Sequence, residues 1–159
     1  MKLLRHIILI IAGSTLWISL TAQQTDTVIW HTNMDTAKAI AMKTQRPILL
    51  VFSGSDWCKP CILLKKEIFE TPEFTVFTKD SLVTVLADFP RQKKNALSPQ
   101  QTAMNEALAK AYNPSGLFPH VVLLTPNGDV IRTFGYQKSS PKLYIQLITV
   151  AANTYEKPK

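Results

Sequence analysis

Cys58 and Cys61 are the only two cysteines in the 159-residue chain, and only Lys59 and Pro60 separate them. As thiolate, cysteine attacks disulfide sulfur and binds metal. A pair this close therefore has three chemical uses: a structural bridge, half of a metal site, or a reversible dithiol–disulfide couple. A bridge over two intervening residues closes a tiny loop and removes little entropy from the unfolded chain. A zinc site needs two further ligands, and beyond residue 22 the only imidazoles are His31 and His120, at separations unlike the usual structural patterns. No metal is expected, and the reversible couple is the use these residues favour.

Such a couple needs one sulfur more acidic than the other. Cys58 follows the apolar run Ile48-Leu49-Leu50-Val51-Phe52, which reads as a strand buried on both faces and broken by Gly54-Ser55. From Lys59 to Glu70 there is no glycine, and the one proline, Pro60, falls where a helix's first turn tolerates it. Cys58 is thus expected to begin a helix, where free backbone N–H groups and the positive end of the dipole favour its thiolate. Lys59 adds a positive charge beside it. Cys61, Leu64, Ile68 and Phe69 form one apolar face, so Cys61 points inward, keeps its proton longer and lies within bridging range. Cys58 is then the attacking sulfur, and Cys61 resolves the mixed disulfide. Pro60 restricts the backbone between the sulfurs and removes a donor, which tunes the reduced form. Trp57 either covers the pair with apolar surface or packs as an ordinary aromatic.

Around this segment, Ala37, Ile40, Ala41 and Thr44 give Met34 to Thr44 helical spacing. Thr71-Pro72-Glu73 starts another short helix, and Leu82 to Ala87 reads as a second buried strand. Phe89 to Pro99 is a polar, basic surface loop. Ser98-Pro99-Gln100-Gln101 has the grammar of a helix start, with Met104, Ala107, Leu108, Ala111 and Tyr112 as its buried stripe. Val121 to Leu124 and Val130 to Phe134 form a hairpin about Pro126-Asn127-Gly128-Asp129. Ser140-Pro141 opens a last helix with Tyr144, Leu147, Ile148, Ala151 and Tyr155 inward. The whole is an α/β chain, a central mixed β-sheet flanked by α-helices.

The first 22 residues stand apart: Lys2 and Arg5, an apolar run from Ile7 to Leu20, then Thr21-Ala22 before polar Gln23-Gln24. That order is a secretory signal peptide, with cleavage expected near Ala22. The run falls short of the roughly 20 residues of a spanning helix, which weighs against a retained anchor. Residues 23–159 are then one domain, with 23–28 a flexible lead. Removing the segment lowers the formal charge from +7 to +5. The dense basic patch, Arg91, Lys93 and Lys94, lacks interleaved aromatics beyond Phe89 and reads as solvated loop, so no nucleic acid is expected as partner.

The ordered set of Pro47-Ile48-Leu49-Leu50-Val51-Phe52, Trp57-Cys58-Lys59-Pro60-Cys61, Leu117-Phe118-Pro119-His120-Val121-Val122-Leu123-Leu124 and Thr125-Pro126-Asn127-Gly128-Asp129-Val130 resembles the thioredoxin superfamily. Lys65-Lys66-Glu67-Ile68-Phe69 followed by Thr71-Pro72-Glu73-Phe74 is similar to exported thioredoxin-like proteins and to the C-terminal domain of the bacterial membrane electron carrier DsbD. The resemblance implies a thioredoxin-like fold, and it implies that Pro119 is the family's cis-proline, lining the groove where substrate backbone docks. Phe118 would help choose substrates, or pack as a core phenylalanine. Typical thioredoxins carry a buried aspartate six residues before the first cysteine. Counting places Phe52 there, so Asp56, His120 and bulk water all remain open as acceptors of the Cys61 proton.

The resemblance implies a monomeric thiol–disulfide oxidoreductase without cofactor, exported to the periplasm or cell envelope. There it would reduce or exchange protein disulfides with electrons from a membrane thiol donor. A disulfide oxidant or isomerase is the alternative within enzymes, and a non-redox peptide-binding module the alternative outside them.

Overall fold

A computed structural model describes residues 27–155. The expected signal peptide, residues 1 to 22, and the start of the lead lie outside these. Five strands, β1 (Trp30–His31), β2 (Ile48–Ser53), β3 (Val83–Asp88), β4 (His120–Leu124) and β5 (Val130–Phe134), form one sheet in the order β1-β3-β2-β4-β5. β2 runs parallel to β3 and antiparallel to β4, and β5 closes the edge as the second arm of the hairpin. The mixed sheet is the one the sequence pattern implies.

The central place of β2 explains its unbroken apolar run. Leu49 and Val51 face one core layer with Leu64, Ile68, Phe74 and Ile148. Ile48, Leu50 and Phe52 face the other with Ala37, Ala41, Val85 and Val122. The first layer is roofed by α2 (Lys59–Leu64), α3 (Pro72–Ser81) and α5 (Pro141–Asn153), and the second by α1 (Met34–Thr44) and α4 (Pro99–Tyr112). Asn33, Thr71, Ser98 and Ser140 cap their helices by accepting the N–H three residues on, and proline opens α3, α4 and α5. These side-chain acceptors satisfy donors that a helix start leaves free.

Several elements differ from expectation, each for a local reason. The helix read from 59 to 70 is α2 followed by a π turn at Lys65–Phe69. The wider turn lets neighbouring Ile68 and Phe69 both reach the core, where the Phe69 ring lies 4.9 Å from Phe74 and 5.3 Å from Trp30. β1 has only two residues, too few for any periodicity. It is held by pairing with β3 and by the Thr84 hydroxyl, which donates to the Ile29 carbonyl.

On α4 the inward face is turned from the apolar stripe. Ala107 and Ala111 are exposed, whereas Asn105 is buried, its amide donating 2.8 Å to the Asp88 carbonyl and its oxygen accepting from Gln101 at 2.9 Å. The end of β3 needs a donor there, and an alanine could not supply one. On α5, Tyr144, Ile148 and Ala151 are buried as expected, but Leu147 is 41% exposed. Within the basic loop, Lys93–Asn95 form a short 3₁₀ turn.

Phe74 is fully buried between Phe69 and Phe77. Phe74→Ala is expected to cost about 3–5 kcal/mol, read as a lower urea midpoint at unchanged slope.

Candidate functional site

The chain leaves β2 at Ser53 and turns at Gly54, whose carbonyl accepts from Trp57 N at 3.2 Å and Cys58 N at 2.9 Å. Gly54 is required here by contact, since a Cβ would come 2.3 Å from the Trp57 indole. Cys58 then caps α2: its Sγ accepts the Cys61 N–H at 3.3 Å. Cys58 and Cys61 are joined by a disulfide, with Cα atoms 5.2 Å apart. The helix start expected beneath Cys58 is therefore present, with Pro60 in its first turn and Lys59 exposed beside it.

Both cysteines are only 4% exposed, so burial does not separate them. Their surroundings do. Cys61 borders a cavity of about 340 Å³ lined by Trp30, Val51, Ser53, Ser55, Leu64, Phe69, Leu86 and Pro119, with Lys65 and Glu70 at its edge. Those two form an exposed ion pair at 3.1 Å. The Phe118–Pro119 peptide bond is cis, and Pro119 meets Cys61 across the cavity wall. Asn113, buried after α4, fixes the approach to this bond by donating to the Leu117 carbonyl at 2.8 Å and accepting from its N–H at 3.0 Å.

Trp57 is neither free cover nor simple core. Its Nε1 donates to the Phe89 carbonyl at 2.7 Å, its ring meets the edge of Phe118 at 5.4 Å, and the Arg91 guanidinium lies 3.7 Å above it. Phe118 also packs on Phe89 at 5.4 Å, and Phe89 stacks on Phe52 at 6.4 Å. Phe118 thus belongs to a half-buried aromatic cluster beside the cysteine pair. Each such ring pair contributes about 0.5–1.5 kcal/mol beyond its buried area.

Asp56 is bound into the loop after β3. Its carboxylate accepts from Arg91 N at 2.9 Å, Gln92 N at 3.0 Å and the Asn95 amide at 2.9 Å. These donors, Arg91 N first among them, hold its carboxyl below the ordinary value of 3.8. His120 pairs with Phe52 across β2 and β4, and its ring lies 6.0 Å from that of Phe52. Burial pushes its imidazole below 6.5. Phe52 itself points into the α1/α4 layer, so the residues of β2 that face Cys61 are Val51 and Ser53. The residue six places before Cys58 thus lies on the face of β2 away from Cys61. His31 lies in β1 at the opposite edge of the sheet, and among the described residues no three potential ligands cluster for a metal.

Asp88, Asn105 and Asn113 are site-supporting residues that sequence reasoning did not single out. Asp88 accepts from Ser55 N at 2.9 Å and Ser55 Oγ at 2.5 Å, tying the end of β3 to the turn before Cys58. Only its place at a strand end beside the motif strand could have pointed to it.

A family model described as thioredoxin-like domain matches residues 34–150. Two Chlamydia pneumoniae proteins are similar: the disulfide bond reductase DsbH, 32% identical over 106 residues (67% of this chain, 62% of that one), and the thioredoxin-related protein DsbJ, 29% identical over 103 residues (65% and 29%). The chain spans less than two thirds of the length of either. Among solved structures, a DsbH oxidoreductase superposes with a TM-score of 0.75 at 25% identity, covering 87% of this chain and 94% of that one. The oxidised Neisseria meningitidis DsbD C-terminal domain shares the fold, with a TM-score of 0.51 at 18% identity over 74% and 91%.

Gly54→Ala is expected to push the indole off its place and break the bond to Phe89, moving the Trp57 indole N–H resonance. An unmoved resonance would refute the contact argument. The Asp56 clasp has a definite pH sign: a carboxyl depressed on folding stabilises fully above its unfolded value, and that contribution is lost as pH falls through the folded one. The Arg91 and Gln92 amide resonances are expected to hold from neutral pH down to 3.8 and to shift only below it.

Proposed function

Because the chain belongs to the thioredoxin-like family, we propose that it is a thiol–disulfide oxidoreductase that reduces protein disulfides in the cell envelope, with Cys58 attacking and Cys61 resolving. The observation that carries this is the Cys58–Cys61 bond at a helix start, with the Cys61 N–H aimed at Cys58 Sγ. In the reduced state that N–H and the helix dipole meet a thiolate, and they stabilise a charge more than a neutral sulfur.

Cys58 thiolate attacks one sulfur of a partner disulfide and joins it in a mixed disulfide, while the partner's other sulfur leaves as a thiolate. Cys61, deprotonated in turn, attacks Cys58 Sγ. The partner sulfur bound to Cys58 leaves with the bonding pair, and the Cys58–Cys61 bond is restored. Two electrons pass to the partner, and a membrane thiol donor returns them. Neither side-chain acceptor suggested for the Cys61 proton suits the geometry. Asp56 is committed to three donors of the loop after β3, and His120 sits on the Phe52 face of the sheet. Solvent entering the cavity beside Ser53 and Ser55 is the acceptor this reading adopts.

Export rests on residues 1 to 22, and among the described residues no helix is long and apolar enough to cross a membrane. Pro119 and Phe118 line the partner's docking groove, and Lys59, Pro60 and Trp57 tune the pair. The domain is read as a monomer needing no cofactor.

Cys61→Ser is expected to accumulate mixed disulfides through Cys58 in cells, and Cys58→Ser to abolish them. A reduction potential near or below that of glutaredoxins, about −200 mV or lower, fits a reductant, whereas one near −120 mV would make the protein an oxidant.

A further inference from the structure

The basic loop after β3 reads from sequence as solvated surface, yet the structure fastens it to the rim of the cysteine pair. Asp56, two residues before Cys58, holds Arg91 N, Gln92 N and the Asn95 amide. Asn95 ends the 3₁₀ turn that leaves Lys93 and Lys94 exposed. Arg91 lies flat on Trp57, and Lys59 stands exposed next to Cys58. Three carboxylates lie in this neighbourhood: Asp56 is held by the loop, Asp88 by Ser55, and Glu70, at the cavity edge, by Lys65. Against them stand five cations, Lys59, Lys65, Arg91, Lys93 and Lys94, so the net charge around the pair is cationic.

We propose that this rim is a docking collar that favours disulfide partners with acidic residues flanking the bond. The proposal rests on the exchange reading above and names the partner's chemistry. Arg91, Lys93 and Lys94 sit on a loop that Asp56 anchors through Arg91 N, Gln92 N and the Asn95 side-chain amide, so the loop's place next to the Cys58 turn is fixed. Fixed charge of one sign beside a cleft raises encounter rates with partners of the other sign by about 10- to 1000-fold at low ionic strength. An acidic peptide segment fits, because a disulfide brought to Cys58 comes beside Trp57 and the Arg91 guanidinium stacked on it.

The test is a single turnover of the full exported domain, reduced with dithiothreitol and freed of it. Three synthetic peptides are used, each with one disulfide flanked by glutamates, lysines or serines. In each reaction the Cys58–Cys61 dithiol becomes a disulfide and the peptide disulfide becomes two thiols, so no further reductant is needed. The glutamate peptide is expected to react about tenfold faster than the lysine peptide at low salt. The gap should close near 1 M salt, where the screening length is about 3 Å. K93E/K94E is expected to reverse the order, and K93Q/K94Q to flatten it, with thermal melting checking that each variant is folded. Equal rates for the two charged peptides at low salt, or an order that survives K93E/K94E, would overturn the collar while serine-peptide turnover keeps the exchange reading intact. If no peptide is reduced, the exchange reading itself fails and the collar with it.

Discussion

The arrangement depends on where a doubly buried strand lets go of the chain. β2 has neighbours on both edges and helices over both faces, so Ser53 leaves the sheet at a fixed point and direction. One turn at Gly54 then brings the backbone to the first turn of α2 with Cys58 as the cap. A helix start in a partly buried setting favours an anion by up to about 2 kcal/mol. That preference exists only while the sulfur stays at the cap, and the immobility of β2 keeps it there.

The loops that complete the site are held by single polar side chains rather than by apolar packing. Asp56 gathers the loop after β3, Asp88 ties that strand's end to Ser55, Asn105 reaches Asp88 from α4, and Asn113 clamps the segment leading to Pro119. Of these, Asn105 and Asn113 are buried, and losing the partner of a buried polar group costs about 1–3 kcal/mol. They therefore define positions sharply. The exposed Lys65–Glu70 pair belongs to another class, since surface ion pairs contribute about 0–1 kcal/mol and this one leaves both side chains over half exposed.

What the sequence made legible follows the same division. Strands and helices with strong apolar periods, their proline and hydroxyl caps, the hairpin and the cysteine pair with its helix were all readable, because each is set by near neighbours. The two-residue β1, the π turn at Lys65–Phe69, the turned inward face of α4 and the role of Asp56 were not. Each is decided by a partner 30 or more residues distant, or by a one-residue change in helical phase that a hydrophobic pattern cannot register. Phe52 is the instructive case: its distance from Cys58 in sequence matches the family's acidic position, but its ring packs on the side of the sheet away from Cys61.

The 4% exposure of both cysteines adds a further constraint on any partner. Burial disfavours a thiolate, so the helix start must offset that cost before any gain in acidity appears. A partner that covers Cys58 removes the last water from it and strengthens the Cys61 N–H contact as the local dielectric falls. The aromatic wall of Trp57, Phe118 and Phe89 is built for such exclusion, being apolar, interlocked and anchored through the indole N–H. Cys61 faces the cavity instead, with the Ser53 and Ser55 side chains and open volume at hand. The two sulfurs are equally hidden, and what differs between them is what each of them faces.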